Sequence, residues 1–169
     1  MCWDLDNTLV DSGALIHGGM PLEQAVIEAE PITNMLEFYE VIRARLPDAH
    51  HFILSARTSS MRSDTLDWLG QYGLVPEDGA VCFLPYANAK PKVWRQLARD
   101  ARLVIVDDLS YNHESRQASI YHDLVQCAQR TAVVYVGLDE IALIASDSQA
   151  IEPVASGIVE SLCGPVGRS

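Results

Sequence analysis

Five short apolar runs punctuate the chain, at residues 2–5, 51–54, 80–84, 103–106 and 131–136. Each has the length of a strand buried on both faces. Between them, apolar residues recur at helical spacing: Leu36, Tyr39, Val41, Ile42 and Leu46, then Leu66, Leu69 and Tyr72. Val93, Trp94 and Leu97 form a third such group, and Ile120, Leu124 and Cys127 a fourth. Strand runs alternating with helical ones predict crossover units and a parallel sheet covered on both sides, an α/β fold in three layers. Pro47 follows the first long helical stretch, Gly70 and Gly73 close the second, and Pro85 follows the third strand. Only three residues precede Asp4, so either the first strand is very short or the chain begins further upstream.

A chain of 169 residues has the size of one domain. Residues 1–138 are read as its core, and 139–169 as a helical tail of two short helices around Pro153 with a Gly-Pro-Val-Gly end that frays. Hydrophobic residues make up 49%, which favours a packed fold over disorder. No apolar run is long enough to span a bilayer, and the N-terminus lacks a signal-peptide pattern, so a soluble, cytoplasmic protein with no membrane partner is expected. Cys2, Cys82, Cys127 and Cys163 lack metal-site spacing and read as free thiols.

Charge is unevenly distributed around a net −11. Residues 1–42 carry eight acids and no Lys or Arg, whereas residues 43–102 carry nine bases against six acids. The acidic total counts against a long nucleic-acid partner, because phosphate neutralisation supplies much of that affinity. The basic third could still receive a compact phosphorylated ligand.

Four local patterns carry chemistry. In Asp4-Leu5-Asp6-Asn7-Thr8-Leu9, directly after the first strand, Asp4 and Asp6 stand at i and i+2 and can face one site. A solvated turn would also use these residue types. Asp107 and Asp108 follow the strand 103–106, at the sheet end where open α/β folds bind ligands, though a helix cap would look alike. Carboxylates gathered in one crevice repel unless a cation offsets them, and an all-oxygen donor set suits Mg²⁺. Ser55 closes the second strand and could donate to a phosphoryl oxygen with the following backbone amides, or simply start a helix. Lys90, or Lys92 two residues on, could neutralise a transferring phosphoryl group; either could equally be a solvated lysine.

In order and context these four patterns resemble the motifs of the haloacid dehalogenase superfamily, over residues 2–136. The resemblance implies a Rossmann-like doubly wound sheet of five strands and a Mg²⁺-dependent phosphatase. It implies Asp4 as nucleophile and Asp6 as general acid/base, whose carbonyl also meets the metal. Ser55 and Lys90 would hold the phosphoryl group, with Lys92 the weaker match. Asp108 would be the more direct metal ligand and Asp107 its neighbour, and Asn112 falls where many members carry a further acid. Asp6 argues against a dehalogenase, which needs neither this acid nor the metal.

A finer likeness runs from Ser55-Ala56-Arg57 through Arg62, Thr65, Trp68 and Leu69. It resembles the polynucleotide kinase 3′-phosphatase branch, with Ala56 where Gly is usual. It implies that Thr8, Ala56, Arg57, Arg62 and Asn112 lie at the substrate. Between Thr8 and Ser55 lie 46 residues, and the helix over 33–46 takes the last of them. The remainder, with Gly13, Gly18 and Gly19, predicts a flap and a short helix near 22–30 rather than a large cap domain. Such an open site, in this family, goes with a bulky substrate or a lid from a partner subunit in an oligomer. The expected activity is phosphomonoester hydrolysis through an aspartyl-phosphate. The rivals are a polynucleotide 3′-phosphatase and a non-catalytic phosphate-binding module on the same fold.

Overall fold

The computed structural model describes residues 1–74, 80–112, 117–118 and 120–164. Five parallel strands form its sheet in the order β3-β2-β1-β4-β7: β1 Cys2–Trp3, β2 Phe52–Ser55, β3 Val81–Phe83, β4 Val104–Val106 and β7 Val134–Val136. The chain moves outward from β1 to β3, then returns to the other side of β1 to lay down β4 and β7. The winding direction therefore reverses between β1 and β4, leaving a crevice at the carboxyl ends of those two strands. A two-stranded antiparallel hairpin, β5 Tyr111–Asn112 and β6 Gln117–Ala118, follows β4; the hydrophobic pattern gave no sign of it. As expected, the fold is doubly wound with no large cap.

Side-chain alternation along the strands separates two cores. Trp3, Ile53, Val104 and Val106 face one layer with α3 (Thr33–Arg45), α4 (Arg62–Gln71), α7 (Leu138–Ser146) and α8 (Ile151–Cys163). Cys2, Leu54 and Ile105 face the other with Trp94 of α5 (Lys90–Asp100) and Leu124 of α6 (His122–Thr131). On α3 the buried residues are Met35, Phe38, Tyr39 and Ile42, spaced by three, one and three residues so that they form a single stripe. Truncating Ile42 to Ala would cost about 2–5 kcal/mol by the usual cavity rule.

β1 has only two residues, as the short lead before Asp4 allowed. Hydrogen bonds extend its pairing at both ends: Phe52 N donates to Met1 O at 2.9 Å, and Asp4 N donates to Val106 O at 2.8 Å. Central placement and burial of Trp3 compensate for its length. The stretch expected as a flap contains α1 (Gly13–His17) and α2 (Leu22–Glu28).

Two expected boundaries shift. Helix α4 runs through Gly70 to Gln71, and Gly73 closes the turn after it, its φ of +68° letting Leu74 N donate to Leu69 O at 2.9 Å. Of these two glycines only Gly73 takes the left-handed conformation that favours glycine. Pro153 lies inside the first turn of α8 rather than between helices, where its missing N–H removes no intrahelical bond. Of the tail expected to fray, residues 165–169 lie outside the described residues.

Candidate functional site

The carboxyl ends of β1 and β4 deliver three carboxylates to the crevice. Oxygens of Asp4, Asp107 and Asp108 lie within 4.8 Å of one another, and all three residues are buried. Asp4 and Asp107 follow their strands directly, and Asp108 comes next. Leu109 turns the chain away with a φ of +48°, a conformation that costs a bulky residue about 1–2 kcal/mol. That turn lets Leu109 N cap Asp107 Oδ1 at 3.2 Å and Ser110 N cap Asp108 Oδ2 at 3.1 Å. Ser110 Oγ also donates to Asp108 Oδ2, and Thr8 Oγ1 donates to Asp108 Oδ1 at 3.1 Å.

Lys90 supplies the cation. As the first residue of α5 it is buried, and its Nζ donates to Asp4 Oδ1 at 2.8 Å and to Asp107 Oδ2 at 2.7 Å. Burial alone would lower its pKa, but the charges of Asp107 and Asp4 outweigh that and raise it, so it stays protonated. Lys92 is exposed on the same helix.

Three carboxylates against one ammonium leave the cluster short of positive charge. Burial pushes the Asp108 carboxyl up to about 6, with the charge of Asp4 adding to the effect. Burial also raises Asp107 well above the ordinary range, against the opposing charge of Lys90. The cluster borders a hollow of about 20 Å³ lined also by Asp6, Ala56 and Ser110, room for one water-sized occupant. Hard oxygen donors, uncompensated negative charge and this volume together fit a small divalent cation.

Asp6 has a different environment. Arg57 Nε donates to its Oδ2 at 2.9 Å, and an Arg57 terminal nitrogen donates to its Oδ1 at 2.7 Å, a bidentate fork. Ser12 Oγ donates to the same Oδ1 at 2.8 Å, while the other Arg57 terminal nitrogen donates to Thr65 Oγ1 at 3.1 Å. The loop returns Ser12 to this position through Asn7, whose φ is +56° and whose Oδ1 accepts from Gly13 N at 2.9 Å. A Cβ on Gly13 would stand 2.6 Å from that oxygen, so any side chain there would push Asn7 out of this hydrogen bond.

Arg57, expected at the substrate, is thus fully buried, and those donors serve Asp6 and Thr65. Ser55 ends β2 buried, its Oγ accepting from Arg57 N at 3.2 Å. Arg62 is exposed at the start of α4, its guanidinium 5.2 Å from the centre of the Phe83 ring. Asn112 lies on β5, and its side chain falls outside the described residues. Ser12, Ser110 and Tyr135, which donates to Asp107 O at 2.9 Å, went unread in the sequence. Only Ser110, two residues after an Asp, carried a local signal, that of a turn. The chain matches no protein-family model, no curated protein and no solved structure.

Proposed function

We propose that this protein is a divalent-cation-dependent phosphomonoester phosphatase, working through an aspartyl-phosphate on Asp4 as its resemblance to the haloacid dehalogenase superfamily implies. The observation that carries the reading is the meeting of Asp4, Asp107 and Asp108 with Lys90 at the switch point of the sheet. Asp4, Asp107 and Asp108 would hold the cation, with Mg²⁺ the natural choice for such donors. When bound it supplies positive charge opposite the phosphoryl oxygens.

The chain's own groups divide the remaining work. Lys90 holds Asp4 in place and brings a fixed positive charge to the attacking oxygen. An Asp4 oxygen forms the new bond to phosphorus as the ester P–O bond breaks. Asp6 gives the departing oxygen its proton, then takes one from the water that attacks phosphorus and frees Asp4. Its pairing with Arg57 favours the ionised carboxylate, the form the second half requires. To act as an acid first, Asp6 must part from Arg57 and pick up a proton.

The test uses p-nitrophenyl phosphate, whose leaving group departs without protonation. Asp4→Asn should show neither turnover nor phosphoenzyme. Asp6→Asn should form the phosphoenzyme and hydrolyse it about 10²–10⁴-fold more slowly. Acid quench followed by intact-mass measurement would reveal one added phosphoryl group. Turnover by Asp4→Asn, or an adduct on another residue, would refute the reading.

A further inference from the structure

A carboxylate has about two lone pairs on each oxygen, and the donors already on them limit what the acidic cluster can offer a cation. On Asp108, Oδ2 accepts from both Ser110 N and Ser110 Oγ. Among the described residues its Oδ1 accepts only from Thr8 Oγ1. Oδ2 is thus filled, while Oδ1 keeps a lone pair. We infer that Ser110 selects the ion: by holding Asp108 Oδ2 it restricts this carboxylate to a single bond with a cation, and so favours Mg²⁺ over Ca²⁺. The inference rests on the cation site proposed above and adds the residue that discriminates between ions there.

The other two carboxylates are not closed in this way. Asp107 Oδ2 accepts from Lys90 Nζ at 2.7 Å and its Oδ1 from Leu109 N at 3.2 Å, one donor to each oxygen. Asp4 Oδ1 accepts from Lys90 Nζ at 2.8 Å, and among the described residues no donor reaches its Oδ2. Asp108 alone has an oxygen with two donors, and Ser110 supplies both. The two ions differ in what they ask of such a group. Mg²⁺ holds to octahedral geometry at about 2.0–2.1 Å and keeps several waters, so single carboxylate oxygens suit it. Ca²⁺ takes about 6–8 oxygens at about 2.3–2.6 Å and readily uses both oxygens of one carboxylate. To bind Asp108 in that second manner, Ca²⁺ must displace the Ser110 hydroxyl.

The backbone fixes Ser110 for this role. The left-handed turn at Leu109, with its φ of +48°, brings the amide and hydroxyl of one residue onto the same oxygen. Ser110 also lines the small hollow beside the cluster, together with Asp4, Asp107 and Asp108. It acts through Asp108 and is therefore a positioning residue. A hydrogen bond to a charged group is worth about tenfold or more in an equilibrium constant, which sets the size of the expected effect.

Isothermal titration calorimetry with Mg²⁺ alone and Ca²⁺ alone, on protein stripped with EDTA and dialysed, tests this without any substrate. Wild type should bind Mg²⁺ at least as tightly as Ca²⁺. Ser110→Ala should lower the ratio of the Ca²⁺ Kd to the Mg²⁺ Kd by about tenfold or more. Ser110→Cys, close in size but only a weak donor, should move the ratio the same way, whether or not alanine disturbs the turn. Ser110→Thr keeps the hydroxyl and should keep the wild-type ratio. Ser146→Ala is the control, because that exposed hydroxyl donates to carbonyls of its own helix. Equal weakening of both ions in the Ala and Cys variants is what a merely loosened turn would give. That result, or tighter binding of Ca²⁺ than of Mg²⁺ by wild type, would overturn the inference and leave the cation site standing. Binding of neither ion by wild type would overturn both. With no ester present, a failure of the phosphatase chemistry would leave the outcome untouched.

Discussion

Removing the Arg57 guanidinium should destabilise the protein more than almost any other single polar change. Asp6 and Arg57 are 4% and 1% exposed, and they share two parallel hydrogen bonds of 2.9 and 2.7 Å. Arg57→Leu fills much of the same volume but leaves the Asp6 carboxylate buried without its counter-charge. Losing one member of a buried pair costs about 3–5 kcal/mol, a fifth or more of a typical domain's stability of about 5–15 kcal/mol. At about 2–4 °C per kcal/mol for a chain of this size, the melting temperature should fall by roughly 10 °C. Arg57→Lys keeps the charge and loses the fork, so it should fall less. Urea unfolding of Arg57→Leu, Asp6→Asn and the double variant, in EDTA, measures the coupling directly. The two losses should fall short of additivity by about 1.5 kcal/mol or more, since replacing both partners leaves no unpaired charge. Additivity within about 0.5 kcal/mol, or a loss under about 1 kcal/mol for Arg57→Leu, would refute a structural ion pair. A large rise in KM without loss of stability would instead place Arg57 on the substrate.

Mg²⁺ at about a hundred times its dissociation constant should raise stability by about 2.7 kcal/mol, read as a rise in melting temperature that EDTA reverses. Asp108→Ala should lose more of that rise than Asp107→Ala, because Asp107 is already paired with Lys90; the reverse order would count against Asp108 as the principal ligand. Burial pushes the Cys2 thiol up to about 12, so iodoacetamide at pH 8 should label exposed Cys82 and Cys163 in the native protein and leave Cys2 unmodified. Peptide mapping would detect the contrary. Replacing Cys82, Cys127 and Cys163 together with Ser should leave phosphatase turnover largely intact, and its loss in a folded variant would contradict an aspartate nucleophile.

The sheet was legible from the chain because buried parallel strands need continuous apolar runs, and helices need stripes. The acids at the ends of β1 and β4 could be placed in one crevice for the same reason: a strand end is a local feature, and parallel pairing brings like ends together. Lys90 against Lys92 could not be decided locally. Two residues on a helix differ by about 200° in direction, and the position of α5 against the sheet determines which of them points inward. Arg57 was expected at the substrate, yet it lies buried in the turn after β2, ahead of α4, so its direction depends on the returning loop that carries Ser12 and on Thr65. Composition and spacing fix which residues favour burial or carry charge. Which charges meet is decided by contacts between residues such as Asp6 and Arg57, 51 positions apart, where only the packed chain brings donor to acceptor.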